Sequence, residues 1–277
     1  YFLCSPSTYF FDVETARSNS MNGLLEVKNL SVSYQQKVVA DVSITIHSQE
    51  IVGLIGQNGC GKSTLLKGII GGFVSTQGQV YVNGQDYFAM NIKKRAQNIA
   101  MMTQRCEVME GFTVSEMIEL GGYASSRFFD SHIDEEQIMQ IAKEFQIADL
   151  LDKDYTKLSE GQKQLVQLAR LTRQNTSVLL LDEPDSALDF ENRHRIFQMI
   201  QKMIKKQEKT GFIVLHDPLY AFMYCDRILL MKDGRIIDEI IPQQETCEIM
   251  TQKMQNLYPR MIIQKDQNYQ QFYCLTK

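Results

Sequence analysis

The run Gly56-Gln57-Asn58-Gly59-Cys60-Gly61-Lys62-Ser63 constrains this chain more than any other feature. It has the spacing G-x-x-x-x-G-K-[ST] and stands between the apolar run Ile51 to Ile55 and a helix-compatible run, Lys62 to Ile70, that stops at Gly71 and Gly72. Strand, glycine loop and helix in that order predict the left half of a βαβ unit. The glycines let backbone amides turn inward around phosphate oxygens, and the helix that follows directs the positive end of its dipole at the same anion. Lys62 is then placed to contact β- and γ-phosphates and the Ser63 hydroxyl to coordinate Mg²⁺. Taken by itself, the motif specifies only a nucleoside triphosphate.

The flanking patterns predict the rest of the fold. Leu25, Val27 and Leu30, then Val32 and Tyr34, then Val42, Ile44 and Ile46 after a polar turn at Gln35 to Lys37, alternate as strands do and predict an antiparallel opening sheet in three runs. Thr113 to Glu116 and Asp134 to Gln137 read as capping boxes ahead of helices, the second followed by Ile138, Ile141, Ala142 and Phe145 at helical spacing. Leu165, Leu168, Ala169 and Thr172 carry the helical period to Asn175, and the short run Val178 to Leu181 predicts a strand buried in a parallel sheet. Ile196, Met199, Ile200, Met203 and Ile204 share one helix face before a strand at Phe212 to Leu215. The alternation is that of an α/β fold with a mostly parallel sheet. Ile228 to Met231, a turn at Lys232-Asp233-Gly234, and Arg235 to Ile240 predict a closing hairpin. Beyond Pro242 the chain is Gln-rich, with a helix expected over 245–257 and a second hairpin turning at 266–268.

Composition excludes several classes. Apolar residues make up 44% of the 277, which is that of an ordinary globular chain, and 29 Lys+Arg against 33 Asp+Glu leave a net charge of −4, which argues against wrapping a nucleic acid. No apolar run approaches the roughly 18 to 20 residues of a membrane-spanning helix, so a membrane role requires a partner that spans. Cys4, Cys60, Cys106, Cys225, Cys247 and Cys274 show no C-x-x-C spacing and the histidines are dispersed, so neither a zinc site nor a disulfide framework is expected. Tyr1 to Phe11 lacks the basic and continuous apolar regions of a secretory signal, and the compartment reads as reducing cytosol. Residues 1–20 are set aside as an extension or tag.

Val178 to Leu181 ends in Asp182 and Glu183, an arrangement that brings Asp182 near Mg²⁺ and Glu183 near an attacking water. Between the helical middle and this strand lies Leu158-Ser159-Glu160-Gly161-Gln162. Here the chain resembles the ATP-binding cassette family, whose signature reads LSGGQ. Ser159, Gly161 and Gln162 match it, and Glu160 stands where the family has its first glycine.

The resemblance runs from about Leu24 to Ile241 and implies the following expectations. The fold is a RecA-like P-loop core with an N-terminal antiparallel β-subdomain and an inserted helical subdomain over about 105–172, in a cassette of residues 21–242 with a C-terminal extension, 243–277. The cofactors are ATP and Mg²⁺. Tyr34 resembles the aromatic residue that stacks on adenine, and Gly56, Asn58, Gly59, Cys60, Gly61, Lys62, Ser63 and Thr64 surround the phosphates. Ser63, Gln104 and Asp182 serve the metal, with Glu183, His216 and Gln104 as the catalytic group. Ser186-Ala187-Leu188-Asp189 resembles the D-loop. Ser159, Gly161 and Gln162 complete the site of a second cassette in trans, so that two ATP are enclosed in a dimer. Asp185 has no reading, and His47, His132 and His194 are expected on the surface. A separate expectation concerns Cys60, which lies near a helix N-terminus where a thiol pKa can fall.

In the family, the segment corresponding to 105–129 receives the coupling helices of an integral membrane permease. Gly111-Phe112-Thr113-Val114, then Gly121-Gly122-Tyr123 to Phe129 with Arg127, is similar to the wording of cassettes that import iron chelates, haem or cobalamin. That resemblance implies an importer ATPase on the cytoplasmic face of a membrane, with a substrate-binding protein as an indirect partner and no nucleic acid. A soluble cassette of an assembly or regulatory complex, or an exporter subunit, is the alternative.

Overall fold

The strand β3 (Ile51–Gly56) is buried along its whole length because both of its faces are covered. Ile51 and Ile55 belong to one hydrophobic cluster, Val52 and Leu54 to the other. The same division holds in β7 (Val178–Asp182), where Leu179 and Leu181 face one way and Val178 and Leu180 the other. It recurs in β8 (Thr210–Val214). A sheet covered on both sides has no polar face, which is why these strands read as unbroken apolar runs.

The computed structural model describes residues 24–71, 75–104, 111–124, 134–186, 188–266 and 271–276. Its main sheet has the order β10-β9-β3-β8-β7-β6, with β6 (Ile99–Met102) at one edge and the hairpin β9 (Arg227–Lys232) and β10 (Arg235–Ile240) at the other. The strands β9, β3, β8, β7 and β6 are parallel to their neighbours, and only β10 pairs antiparallel. A second sheet, β2-β1-β4-β5, is antiparallel and comprises β1 (Leu25–Ser33), β2 (Lys37–Ile46), β4 (Ser75–Val82) and β5 (Gln85–Asp86).

The opening sheet departs from expectation in one respect. Leu25, Val27, Leu30 and Val32 lie on a single strand, not two, and the phase slip between Val27 and Leu30 is a bulge. Asn29 takes a left-handed conformation there (φ 52°) and its amide donates to Asp41, itself at φ 55°, at 2.8 Å. A bulge inserts one residue without ending the strand, which is why alternation alone reads it as a break. The strands β4 and β5 and the helix α2 (Ile92–Asn98) have no counterpart in the sequence pattern as read.

α1 (Lys62–Ile69) packs between the two sheets. α3 (Val114–Glu119) starts with the full capping box of Thr113 and Glu116, whereas at α4 (Glu135–Glu144) Asp134 caps the Gln137 amide in the one direction described. α5 (Glu160–Gln174) ends on Asn175 in the left-handed conformation (φ 52°), and α6 (Phe190–Lys206) buries Ile196, Phe197, Ile200, Met203 and Ile204. α7 (Pro218–Tyr224) follows β8, and α8 (Cys247–Met254) is shorter than expected, capped by Thr246. The C-terminal hairpin pairs β11 (Met261–Lys265) with β12 (Phe272–Thr276), its tip lying outside the described residues. Met250, Met254, Leu257 and Ile263 belong to the principal core cluster, so the C-terminal segment is built into the body of the fold.

Candidate active site

The phosphate loop leaves β3 at Gly56 and enters α1 at Lys62. A Cβ on Gly56 would lie 2.3 Å from the Met231 carbonyl oxygen, so β9 packs against the loop closely enough to exclude any side chain there. Gly59 and Gly61 have φ of 77° and 107°, which glycine adopts without the strain a side chain would bring. The Lys62 ammonium is buried and donates to the carbonyls of Gly56 at 2.8 Å and Gln57 at 3.1 Å. Both of these oxygens lie on the strand side of the loop, so the lysine spans the concavity where an anion would sit.

Opposite the loop, β7 delivers Asp182 and Glu183. Ser63 donates its hydroxyl to Asp182 Oδ1 at 3.1 Å. Glu183 is the first residue beyond β7 and has φ 52°, a conformation costing on the order of 1 kcal/mol for a non-glycine residue. Both ends of its side chain are held: Gln104 Nε2 donates to Oε2 at 2.5 Å, and His216 Nε2 donates to Oε1 at 2.7 Å. Gln104 follows the edge strand β6 and His216 follows β8, so three strand ends converge on one carboxylate. Ligands of open α/β sheets gather at such carboxyl ends. A pocket of about 350 Å³ is lined by Asn58, Gly59, Gly61, Lys62, Ser63, Thr64, Gln104, Glu183 and His216, together with Val38 from β2.

Burial is the main cause pushing the Asp182 carboxyl up from its ordinary pKa, opposed by the Ser63 hydrogen bond and then by Lys67 and Lys62. Glu183 is also raised, first by burial, with His216 opposing and Asp182 adding to the rise. A cation bound between Ser63 and Asp182 would relieve that cost. The donors present, one hydroxyl and one carboxylate, are hard oxygens of the kind Mg²⁺ takes while phosphate and water fill its other positions. The residues therefore fit the metal.

The remaining expected residues lie elsewhere. Tyr34 is 54% exposed in the β1–β2 turn and does not line the pocket. Cys60 faces a neighbouring pocket with Lys37, Lys232 and Asp233, and burial pushes its thiol up, ahead of the lowering effect of Lys62. The expected fall in its pKa is thus reversed, because desolvation of a thiolate outweighs a helix start and a lysine. Ser159, Gly161, Gln162 and Asp189 are also outside the pocket. Ser159 caps α5 in a reciprocal box with Gln162, and Glu160 occupies the first helical position, pairing with Lys163 at 2.8 Å. Its φ is not positive, so a side chain replaces the family's glycine without strain. Asp189 caps α6, and Gln164 of α5 donates to the Ser186 carbonyl at 2.6 Å, tying the signature helix to the turn before α6. Ala187 lies outside the described residues.

His47 is exposed, as expected, and His132 lies outside the described residues. His194 is instead half-buried, edge-on to Phe190 with centroids 4.6 Å apart and bonded to the Tyr224 hydroxyl at 2.7 Å. Asp185, without a reading in the sequence, is buried in the turn after Pro184, and desolvation raises its pKa. Sequence reading missed Val38 and Lys67. The latter was discernible, since Ser63 and Lys67 are four residues apart on one helix face.

A phosphate loop after the parallel strand β3, with an Asp-Glu pair at the end of β7 on the far side of β8, defines a P-loop nucleoside triphosphatase. The comparisons narrow that class. The family model described as ABC transporter matches residues 39–186. The chain is 31% identical over 240 residues to the petrobactin import ATP-binding protein YclP of Bacillus subtilis, covering 86% of this chain and 94% of that one. It is 34% identical to the iron(3+)-hydroxamate import ATP-binding protein FhuC of the same organism, covering 78% and 81%. A solved ATP-binding cassette, dimeric and bound to ADP and phosphate in a post-hydrolysis state, superposes with a TM-score of 0.71 at 25% identity, covering 79% of this chain and 98% of that one. This chain belongs to the ABC transporter ATP-binding family. It is an ATPase cassette, and among the described residues no helix is long and apolar enough to cross a membrane.

Proposed function

We propose that this cassette drives import of an iron chelate, or of a chemically related macrocycle such as haem or cobalamin, through a separate membrane permease. The observation that carries the catalytic part is the convergence of Lys62, Ser63, Gln104, Glu183 and His216 on one pocket, with Asp182 bonded to Ser63. The likeness to the petrobactin and iron-hydroxamate import proteins supports the cargo class.

In this reading residues 21–242 are the cassette, with the helical insert over about 105–172, and it works at the cytoplasmic face of the membrane. Tyr34 stacks on adenine. Lys62 exchanges its bonds to the loop carbonyls for the phosphates, so the loop begins closed on itself and opens onto ATP. Ser63, Asp182 and Gln104 would hold Mg²⁺, which would supply positive charge to offset that of the phosphates. Glu183 orients the attacking water and accepts its proton, worth roughly 10² to 10⁴ in rate. Since both of its oxygens are engaged by Gln104 and His216, hydrolysis requires these two to turn from Glu183 toward water and γ-phosphate. Ser159, Gly161 and Gln162 of a second copy close the site, with Asp189 at the seam.

Exposed apolar side chains near the start of the insert's described part include Phe112, Leu120 and Tyr123, beside Gly121 and Gly122, which lie against α5. We assign this face to the permease. Affinity capture from membranes tests it. The tagged wild-type chain is expected to retain a polytopic membrane protein that a Phe112→Asp, Tyr123→Asp variant releases without loss of ATP hydrolysis. Retention of only soluble proteins would favour an assembly or regulatory ATPase.

A further inference from the structure

The C-terminal segment touches the phosphate loop directly. Gln57, the second residue of that loop, reaches across 200 positions of sequence to donate from Nε2 to the Leu257 carbonyl at 2.9 Å. The same residue's backbone carbonyl accepts from Lys62 at 3.1 Å and from the Cys60 amide at 3.3 Å. Gln57 therefore joins the phosphate-binding lysine to the turn that follows α8.

That turn is firmly placed. Leu257 is 1% exposed within the principal core, and its amide and that of Tyr258 both donate to the Met254 carbonyl, at 3.0 and 2.9 Å. Lys232, at the end of β9, donates to the adjacent Asn256 carbonyl at 3.3 Å. Before the turn, Lys253 pins α8 to β10 through the Glu239 carbonyl at 2.6 Å and to the intervening connection through the Glu245 carboxylate at 2.8 Å. Beyond it, the Ile263 amide donates to Thr251 Oγ1 at 2.9 Å, fixing β11 on α8. On the far side Phe272 of β12 packs on Phe222 of α7, with ring centroids 5.7 Å apart. That helix begins immediately after His216. The C-terminal segment thus rests on both walls of the site, the phosphate loop and the helix behind the histidine. By contrast, Gln57, Asn58 and Gly59 are exposed. Within that arm the hydrogen bond to Leu257 is the link to a distant, buried element.

We propose that residues 243–266 and 271–276 form an internal brace for the nucleotide site, in which Gln57 is a positioning residue that couples the Asn256-Leu257-Tyr258 turn to ATP binding. The proposal rests on Gly56 to Ser63 being the ATP phosphate loop. The segment holds the exposed arm of the loop in the shape the phosphates need, and nucleotide binding in turn stabilises the segment, since coupling between two sites is reciprocal. Anything that shifts α8 or the β11–β12 hairpin would then alter ATP affinity without touching the pocket.

The test compares wild type, Gln57→Met and Lys62→Ala as full chains. Methionine keeps the length of glutamine but removes the donor, at an exposed position where folding is not at stake. ATP affinity is measured by calorimetry, and amide hydrogen exchange over 254–261 is followed with and without ATP. In wild type, ATP is expected to slow exchange in that segment. Gln57→Met is expected to bind ATP about fivefold more weakly, the worth of one net hydrogen bond, and to lose the exchange response. Wild-type affinity in Gln57→Met, a weaker affinity with the exchange response intact, or no response in wild type would each overturn the brace. Lys62→Ala separates the two readings: ATP binding unaffected by that change would instead defeat the assignment of the phosphate loop.

Discussion

Replacing Lys209 by methionine should stabilise this protein. Lys209 lies between α6 and β8, is 3% exposed, and its ammonium has no hydrogen-bond partner among the described residues. Burial pushes its pKa down from 10.5 to about 8, with no charged neighbour contributing. At 1.36 kcal/mol per pKa unit, that fall corresponds to about 3 kcal/mol of stability lost while the folded protein holds the amine charged. Methionine has similar length and nothing to desolvate, so Lys209→Met is expected to recover about 2 to 3 kcal/mol at pH 7. The pH dependence has a definite sign. Between about 8 and 10.5 the unfolded chain holds the proton and the folded chain does not, so wild-type stability rises with pH across that window. The advantage of Lys209→Met should accordingly be complete below pH 8 and shrink to under about 1 kcal/mol at pH 10. Urea titrations of both proteins at pH 7 and pH 10 measure it. A variant less stable than wild type at pH 7, or a difference that does not change with pH, would show that the ammonium is not held in the dry site the structure describes.

Three further outcomes are expected. Glu183→Gln should slow phosphate release by 10² to 10⁴ while still binding ATP, and a smaller loss in a single-turnover assay would take the general-base role away from Glu183. Gly68→Ala should destabilise by about 1 to 3 kcal/mol, because its Cβ would lie 2.4 Å from Val32 Cγ2 where α1 crosses β1, and an unchanged melting temperature would mean that the helix shifts freely. Cys60 should react with iodoacetamide more slowly than an exposed cysteine at pH 7.5 and be further protected by ATP, since burial raises its pKa, and rapid labelling indifferent to ATP would contradict its placement in the loop.

Much of this molecule was legible because glycine spacing and apolar runs are local signals. The loop from Gly56 to Ser63, the strand ending at Asp182 and the helix ending at Asn175 each carry their own punctuation, and the structure places them where that punctuation predicts. The opening sheet was misdivided because a bulge at Asn29 breaks alternation without ending β1. The strand β4 escaped notice since its first half, from Ser75 to Gln79, exposes polar residues and only Val80 and Val82 point inward. Within the pocket, Gln104, Glu183 and His216 each follow a strand, a position that the apolar runs mark in the sequence. The carbonyl that Gln57 reaches cannot be found this way, because a backbone oxygen 200 residues away leaves no mark in composition or period. The same holds for His194, whose contacts with Tyr220 and Tyr224 depend on how α6 and α7 meet.

Light scattering of Glu183→Gln with ATP is the most direct test of the central claim, that two copies enclose ATP between the phosphate loop of one and Ser159 and Gly161 of the other. It is run with Mg²⁺ and again with EDTA, beside Lys62→Ala and Ser159→Phe. Moving the monomer–dimer balance from 1:99 to 99:1 takes about 5.5 kcal/mol of differential binding, which two sealed phosphate sites can supply. The account predicts a Glu183→Gln dimer that forms only with ATP and is lost when either Lys62→Ala or Ser159→Phe is added. An ATP-dependent dimer that survives Ser159→Phe, or monomers under every condition, would contradict it.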